Sequence, residues 1–274
     1  MDFFRKIKVL CILPLVALFL SCATTQNCGC DNRSLSIVPP TNSFVKILVV
    51  NEKGSPFSSG SGVIIDHVNG DNTIIATARH ICQDINKVEY RNIRILDAHE
   101  QKYKGLVLIT SADHDLCLLT TVVKINFPAV KVAEKSPKQG DFVYNIAAPY
   151  GIHGDGMALI FHGYYSGKIS IPQEEYPLDV FTVPGAGGSS GSPVFNEKWE
   201  LVGIISRGFA LLEHIMLSVA SEHVIGSIKT IRPEMAKLAK IRVFIDAMDV
   251  LVDENLSKIK KPEDTAKTVP PVSE

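Results

Sequence analysis

A serine set among glycines, a histidine closing an apolar strand and an aspartate opening another are the residues of this chain that could do chemistry together. The serine lies in Gly185-Ala186-Gly187-Gly188-Ser189-Ser190-Gly191-Ser192-Pro193-Val194. A nucleophilic serine must present its hydroxyl beside backbone N–H groups that can hold an oxyanion. Glycines before and after it let the backbone take the needed turn without Cβ clashes. The histidine ends Thr77-Ala78-Arg79-His80, where a buried strand would hold the imidazole rigidly and still let it face a cleft. The aspartate begins His114-Asp115-Leu116-Cys117-Leu118-Leu119, placed to be partly buried and to orient an imidazole. Each segment alone has a plainer reading: a Gly/Ser loop, one of eight histidines, a turn aspartate. Together, in the order His, Asp, Ser with separations of 35 and 75 residues, they point to a nucleophile, its base and the carboxylate that orients the base.

The elements that must position these groups read as strands. Phe44–Val50, Gly62–Asp66, Thr73–Thr77, Val88–Leu96, Gly105–Thr110, Leu116–Val123, Phe142–Ala147, Ala158–His162, Asp179–Val183 and Leu201–Ser206 are short and rich in β-branched residues. Turn residues separate them, which argues for an all-β sandwich or barrel. No alternation with long amphipathic helices is present, so a doubly wound α/β sheet is excluded. Helical pattern is confined to the end. Ser221-Glu222 is placed to start a helix before Val224, Ile225, Ile228 and Ile231, and Pro233 should interrupt it. Met235–Val252 repeats the amphipathic pattern with Met235, Leu238, Ile241, Phe244, Ile245, Met248 and Leu251.

With these motifs in hand, the chain resembles the trypsin-like serine proteases, in style the bacterial HtrA-type and glutamyl-endopeptidase branches. The His, Asp, Ser order is that of chymotrypsin-like enzymes and differs from the subtilisin and α/β-hydrolase orders. Gly60-Ser61-Gly62-Val63-Ile64-Ile65 resembles the family's strand before the histidine, and Thr77-Ala78-Arg79-His80 its T-A-x-H. Asp115-Leu116-Cys117-Leu118-Leu119, Gly140-Asp141-Phe142-Val143 with Ala148-Pro149-Tyr150-Gly151, and Gly188-Ser189-Ser190-Gly191-Ser192-Pro193 match further family stretches. Leu217-Ser218-Val219-Ala220-Ser221 resembles the family's entry into its last helix. The resemblance implies a double six-stranded β-barrel of the chymotrypsin type with C-terminal helices. It implies Ser190 as nucleophile, His80 as base and then acid, Asp115 as the residue that holds His80, and the N–H groups of Gly188 and Ser190 as the oxyanion hole. Asp113 is the competing carboxylate, and His114 is expected to be an exposed neighbour.

The resemblance also implies where a substrate side chain would sit: candidates are Pro184, Ile205, Ser206, Arg207 and Gly208. Pro184 stands where trypsins carry an aspartate for basic side chains, and Ile205 where glutamyl endopeptidases place a histidine. A small or apolar side chain is left by elimination, with Arg207 keeping an acidic one open. Ser189 stands where digestive members carry the aspartate that pairs with a freed N-terminus, which argues against that mode of zymogen activation. The expected activity is an exported serine endopeptidase acting on polypeptides. The alternatives are a protease-fold binding protein with little turnover and an esterase with the same triad. The Gly188-x-Ser190-x-Ser192 pattern lacks the closing glycine of a nucleophile elbow, which counts against the esterase.

The ends and the composition bound the rest. Arg5, Lys6 and Lys8 precede the apolar run Val9–Leu20, whose twelve residues would span roughly 18 Å as a helix, short of a bilayer core of about 30 Å. Residues 1–22 therefore read as an export signal. Ser21-Cys22-Ala23 allows ordinary cleavage after Ala23, or lipidation at Cys22 that would tether the protein to a membrane. A periplasmic, membrane-anchored or extracellular location follows. Residues 23–42 read as a linker, 43–232 as the protease domain, 233–255 as a C-terminal helix and 256–274 as a disordered tail. After Arg232 too little chain is expected to remain for the PDZ domain of many HtrA-type enzymes. Lys and Arg number 28 against 29 Asp and Glu, which gives no electrostatic reason to expect a nucleic-acid partner. His67, His99, His114, His153, His162, His214 and His223 show no metal-ligand spacing, and no cofactor is expected. Cys28, Cys30, Cys82 and Cys117 remain outside the signal, and export permits disulfides. Cys82 and Cys117 each lie two residues past His80 and Asp115, and a bridge and a pair of buried thiols both stay open there.

Overall fold

The structure, a computed structural model, describes residues 38–68, 72–83, 91–111, 113–121, 123–172, 175–209 and 212–233. The export signal with Cys22, the cysteines Cys28 and Cys30, the Met235–Val252 segment and the tail lie outside the described residues. Strand formation follows the apolar, β-branched runs. A first closed antiparallel barrel is built from β1 (Phe44–Val50), β2 (Pro56–Val68), β3 (Asn72–Thr77), β4 (Asn92–Leu96), β5 (Lys102–Thr110) and β6 (Cys117–Thr121). A second is built from β7 (Phe142–Ala147), β8 (Leu159–Ile169), β9 (Leu178–Phe181), β10 (Pro193–Phe195), β11 (Leu201–Phe209) and β12 (Leu212–Ala220). Closure leaves each barrel without a free sheet edge along its paired length.

Side chains facing inward make three apolar cores. Ile47, Ile64, Ile75, Ile95 and Leu119 fill the first barrel. Val143, Phe181, Val194, Val202 and Ile205 fill the second. Phe44, Val63 and Leu118 from the first barrel meet Ile146, Phe195, Leu201 and Val219 from the second, and join the barrels through a common apolar seam. Each fully buried Ile or Phe contributes roughly 1.5–3 kcal/mol of transfer free energy, so the seam is a strong reason for the barrels to stay docked.

The ten expected strands are present with shifted ends, and two more complete the barrels. β10 has three residues and opens on Pro193, too short a run to announce itself. β12 carries no strand expectation in the sequence, where Leu217–Ser221 reads only as a lead into the helix. Its Leu, Glu and Met content suits a helix, but its pairing with β11 and β9 makes it a strand. β8 runs seven residues beyond the expected His162, to Ile169. A four-residue helix, α1 (Arg79–Cys82), follows β3 and carries the histidine. Residues 221–233 form helix α2, which buries Val224 and Ile231 on the seam; Pro233 is the last described residue of that helix. Among the described residues, no helix is long and apolar enough to cross a membrane.

Candidate active site

β3 ends at Thr77, and α1 follows with His80 as its second residue. The N–H of His80 donates to Asp115 Oδ1 at 2.9 Å, and its Nδ1 lies 2.8 Å from Asp115 Oδ2. One carboxylate therefore grips the histidine twice, through backbone and ring. With Nδ1 donating to a carboxylate, the neutral imidazole must keep its lone pair on Nε2, free to accept a proton. The His80 side chain is 40% exposed and that of Asp115 is 12% exposed, so the ring reaches the cleft while its anchor stays dry. Burial pushes the Asp115 carboxyl toward the neutral form. The His80 hydrogen bond and charge, the Ser206 hydroxyl and the His80 N–H oppose it and hold the carboxyl below its ordinary value. Asp115 is thus an anion at neutral pH.

Asp113 is exposed, and both His80 contacts go to Asp115. His114 is partly buried, contrary to expectation. Its ring lies 3.6 Å centroid to centroid from that of His223 on α2 and 4.4 Å from that of Tyr176. An imidazole has two flat apolar faces, and here α2 and the segment before β9 cover them.

A disulfide joins Cys82 to Cys117, which resolves the cysteine question for this pair. It ties the end of α1 to the start of β6, two residues beyond the histidine and the aspartate respectively. Both cysteines are fully buried.

Ser190 lies between β9 and β10. Its hydroxyl donates to the Ser206 carbonyl at 3.4 Å, a long contact. The hydroxyl of Ser206 in turn donates to Asp115 Oδ2 at 2.6 Å. Ser206 on β11 thus touches the serine with its backbone and the aspartate with its side chain. It was singled out in the sequence only as a pocket residue. Nothing in its sequence neighbourhood marks the second role, because the contact spans 91 residues.

The loop carrying Ser190 is pinned from several sides. Gly188 has φ +97° and Gly191 φ +84°, backbone that favours glycine. A Cβ at Gly191 would run into the Thr77 hydroxyl and the Ser61 carbonyl. Ser61 of β2, fully buried, donates its hydroxyl to the Gly188 carbonyl at 2.8 Å and its N–H to the Ser190 carbonyl at 2.8 Å. The N–H of Tyr150 donates to the Gly187 carbonyl at 2.6 Å. The loop backbone is thus held at the carbonyls of residues 187, 188 and 190. Ser61 was read only as part of a strand motif; its hydrogen bonds across the barrels are set by the three-dimensional docking.

Of the pocket candidates, Ser206 is buried and Arg207 and Gly208 are exposed as β11 leaves the core. Ile205 is buried in the second core and cannot touch a ligand without repacking. Pro184 is partly buried ahead of Gly185. Among the described residues, no group of His, Cys, Asp or Glu is arranged to hold a metal ion.

Known proteins are similar to this chain in sequence or in fold. The chain is 30% identical over 158 residues to a probable periplasmic serine endoprotease, DegP-like, of Marinomonas sp. (strain MWYL1), covering 57% of this chain and 31% of that protein. A protein of the same description from Pseudomonas fluorescens (strain Pf-5) is 32% identical over 154 residues, covering 55% and 29%. The chain therefore spans about a third of the length of these relatives. Among solved structures, the serine endoprotease from Yersinia pestis superposes with a TM-score of 0.58 at 19% identity, covering 71% of this chain and 64% of that one. Rv3671c from M. tuberculosis H37Rv, in an inactive form, superposes at 0.54 with 17% identity, covering 70% and 87%. At those identities the likeness is one of fold. The trypsin-like peptidase domain matches residues 60–204, more than half of the sequence, and the chain belongs to that family.

Proposed function

We propose that the protein is an exported serine endopeptidase that cleaves polypeptides through Ser190, His80 and Asp115. The observation that carries this is Ser206, which contacts Ser190 through its carbonyl and Asp115 through its hydroxyl, while Asp115 grips His80 twice. These contacts converge from β11, α1, the start of β6 and the glycine loop on one cleft. Periplasmic serine endoproteases among the relatives support the same reading.

In the reaction, Ser190 Oγ attacks the scissile carbonyl carbon as His80 Nε2 takes the hydroxyl proton. The carbonyl oxygen becomes an anion and receives the N–H groups of Gly188 and Ser190. Asp115 stabilises the imidazolium that forms. Collapse breaks the C–N bond, and His80 gives its proton to the leaving amine. Water, deprotonated by His80, then attacks the ester carbon; Ser190 leaves and regains the proton. A peptide in the cleft can pair with the exposed residues Arg207 and Gly208, beyond the last β10 partner of β11.

Residues 1–22 serve as the export signal in this reading, with Cys22 as a lipid attachment point, 23–42 as the tether and 43–232 as the catalytic domain. Incubation with a fluorophosphonate probe tests the assignment. Wild type should be labelled on Ser190, and Ser190→Ala should not. Ser190→Ala should also lose turnover by on the order of 10⁴- to 10⁶-fold while melting normally. Labelling that persists in the variant would reject Ser190 as nucleophile.

A further inference from the structure

We propose that Met216 determines specificity: its thioether fills the slot beside Ser190 and restricts the residue on the acyl side of the scissile bond to a small side chain. This rests on the peptidase reading above. A peptide whose carbonyl carbon meets Ser190 Oγ is bracketed by two stretches of backbone. One is residues 185–188, which lead into the glycine loop. The other is 206–208, where Ser206 accepts the Ser190 hydroxyl and β11 becomes exposed. The side chain of the attacked residue enters between them.

Both walls of that slot are glycine, Gly185 on one side and Gly208 on the other, so neither wall contributes a side chain. Met216 occupies the gap instead. It lies on β12 directly opposite Gly208 in the strand pairing. A Cβ added to Gly185 would stand 2.5 Å from Met216 Sδ and 2.6 Å from its Cε. A Cβ added to Gly208 would stand 2.5 Å from the same Cε. The thioether therefore touches both glycines and closes the slot between them. It is 5% exposed and packs on the second core with Phe181, Val183 and Ile205 behind it. The glycines make room for the methionine, and the methionine takes the room that a large substrate side chain would need. Of these described residues, Arg207 at the exposed rim is the charged one.

A series of peptides that differ only in the residue donating the scissile carbonyl tests this: Ala, Leu, Phe, Lys and Glu. For wild type, kcat/KM should be highest for Ala, with Leu and Phe lower by at least roughly tenfold. In Met216→Ala, the kcat/KM ratios of Leu to Ala and of Phe to Ala should rise by at least roughly tenfold. Met216→Val keeps more of the core volume and should show the same gain for Leu if the alanine variant unfolds. A small fluorophosphonate titrates active sites in each protein before the peptides are compared. Wild type that cleaves after Phe, Lys or Glu as well as after Ala overturns the proposal. So does a titratable Met216 variant with wild-type preferences. Wild type that the probe does not label would remove the peptidase reading itself, and the pocket with it.

Discussion

Asp115 receives three hydrogen bonds, from the His80 N–H, the His80 ring and the Ser206 hydroxyl. Its replacement and the loss of Ser206 should therefore differ in kind. Asp115→Asn keeps the shape but offers an N–H where an acceptor is needed, favouring the wrong His80 tautomer; kcat should fall about 10⁴-fold. Asp113→Asn, at an exposed position outside this network, should leave kcat within a fewfold of wild type. Ser206→Ala removes one hydrogen bond to the carboxylate and should cost roughly ten- to hundredfold. Steady-state kinetics on the three variants gives the order, and an Asp113 variant as damaged as the Asp115 one would reverse the assignment of the carboxylate. At this scale the sequence was informative wherever a residue sits in a local motif. Asp115 opens an apolar strand and Ser190 sits among glycines, both visible in a short window. Ser206, Ser61 and Met216 act through partners brought close by barrel closure, and no window of sequence contains those partners.

The elements that carry these residues depend on two cross-connections. The Cys82–Cys117 bridge closes a loop of 35 residues between the histidine helix and the aspartate strand. Cys82→Ala combined with Cys117→Ala should lower stability by about 2–4 kcal/mol, through a freer unfolded chain. It should also reduce kcat more than it raises KM, because α1 loses its tie to β6. Denaturant melts and kinetics of the double variant check both, and unchanged kcat would make the bridge a stabiliser only. The second connection is the segment after Tyr150. Lys46 donates to the Gly151 carbonyl at 2.6 Å, and His153 packs its ring on Phe44, 5.7 Å between centroids. Both ring nitrogens of His153 are buried without a partner. Burial, and then the Lys46 charge, push its pKa below the ordinary 6.5, against the opposite pull of Glu100 and Asp97. The folded state thus binds fewer protons here than the unfolded chain. Stability is complete above about pH 6.5 and declines as pH falls from there toward the lowered native value. His153→Phe should flatten the fall of melting temperature across that window, as thermal melts at successive pH values would show. The strand pattern announced ten of the twelve strands because β-branched runs between turn residues need no partner to be recognised. β12 escaped because its composition suits a helix and only its neighbours decide otherwise.

At the scale of the molecule, the proposed triad belongs to neither barrel alone. His80 and Asp115 come from the first, Ser190 and Ser206 from the second, and Ser61 of the first holds the carbonyls of Gly188 and Ser190 in the second. Its hydroxyl also accepts the Ala148 N–H at 3.1 Å. Ser61→Ala leaves that buried N–H and the Gly188 carbonyl without this partner, at a cost of about 1–3 kcal/mol. Activity in that variant should disappear several degrees below the melting temperature, since the glycine loop loosens before the barrels part. Activity and unfolding followed on one temperature ramp would show the gap, and coincident curves would mean the loop is held by other contacts.

The order of the parts along the chain also sets a schedule. The first barrel, from β1 to β6, is contiguous, and it holds His80, Asp115 and both cysteines of the bridge. A chain that emerges N-terminus first can finish and oxidise this half while Ser190 is still unmade. Ser190 then arrives ahead of β10, β11 and β12, and Ser206 on β11 arrives later still. Every earlier product on the way to the native protein therefore carries His80 without Ser190, or Ser190 without its Ser206 link to Asp115. On the proposed reading, the protein is harmless to its own emerging chain until almost the last strand is in place.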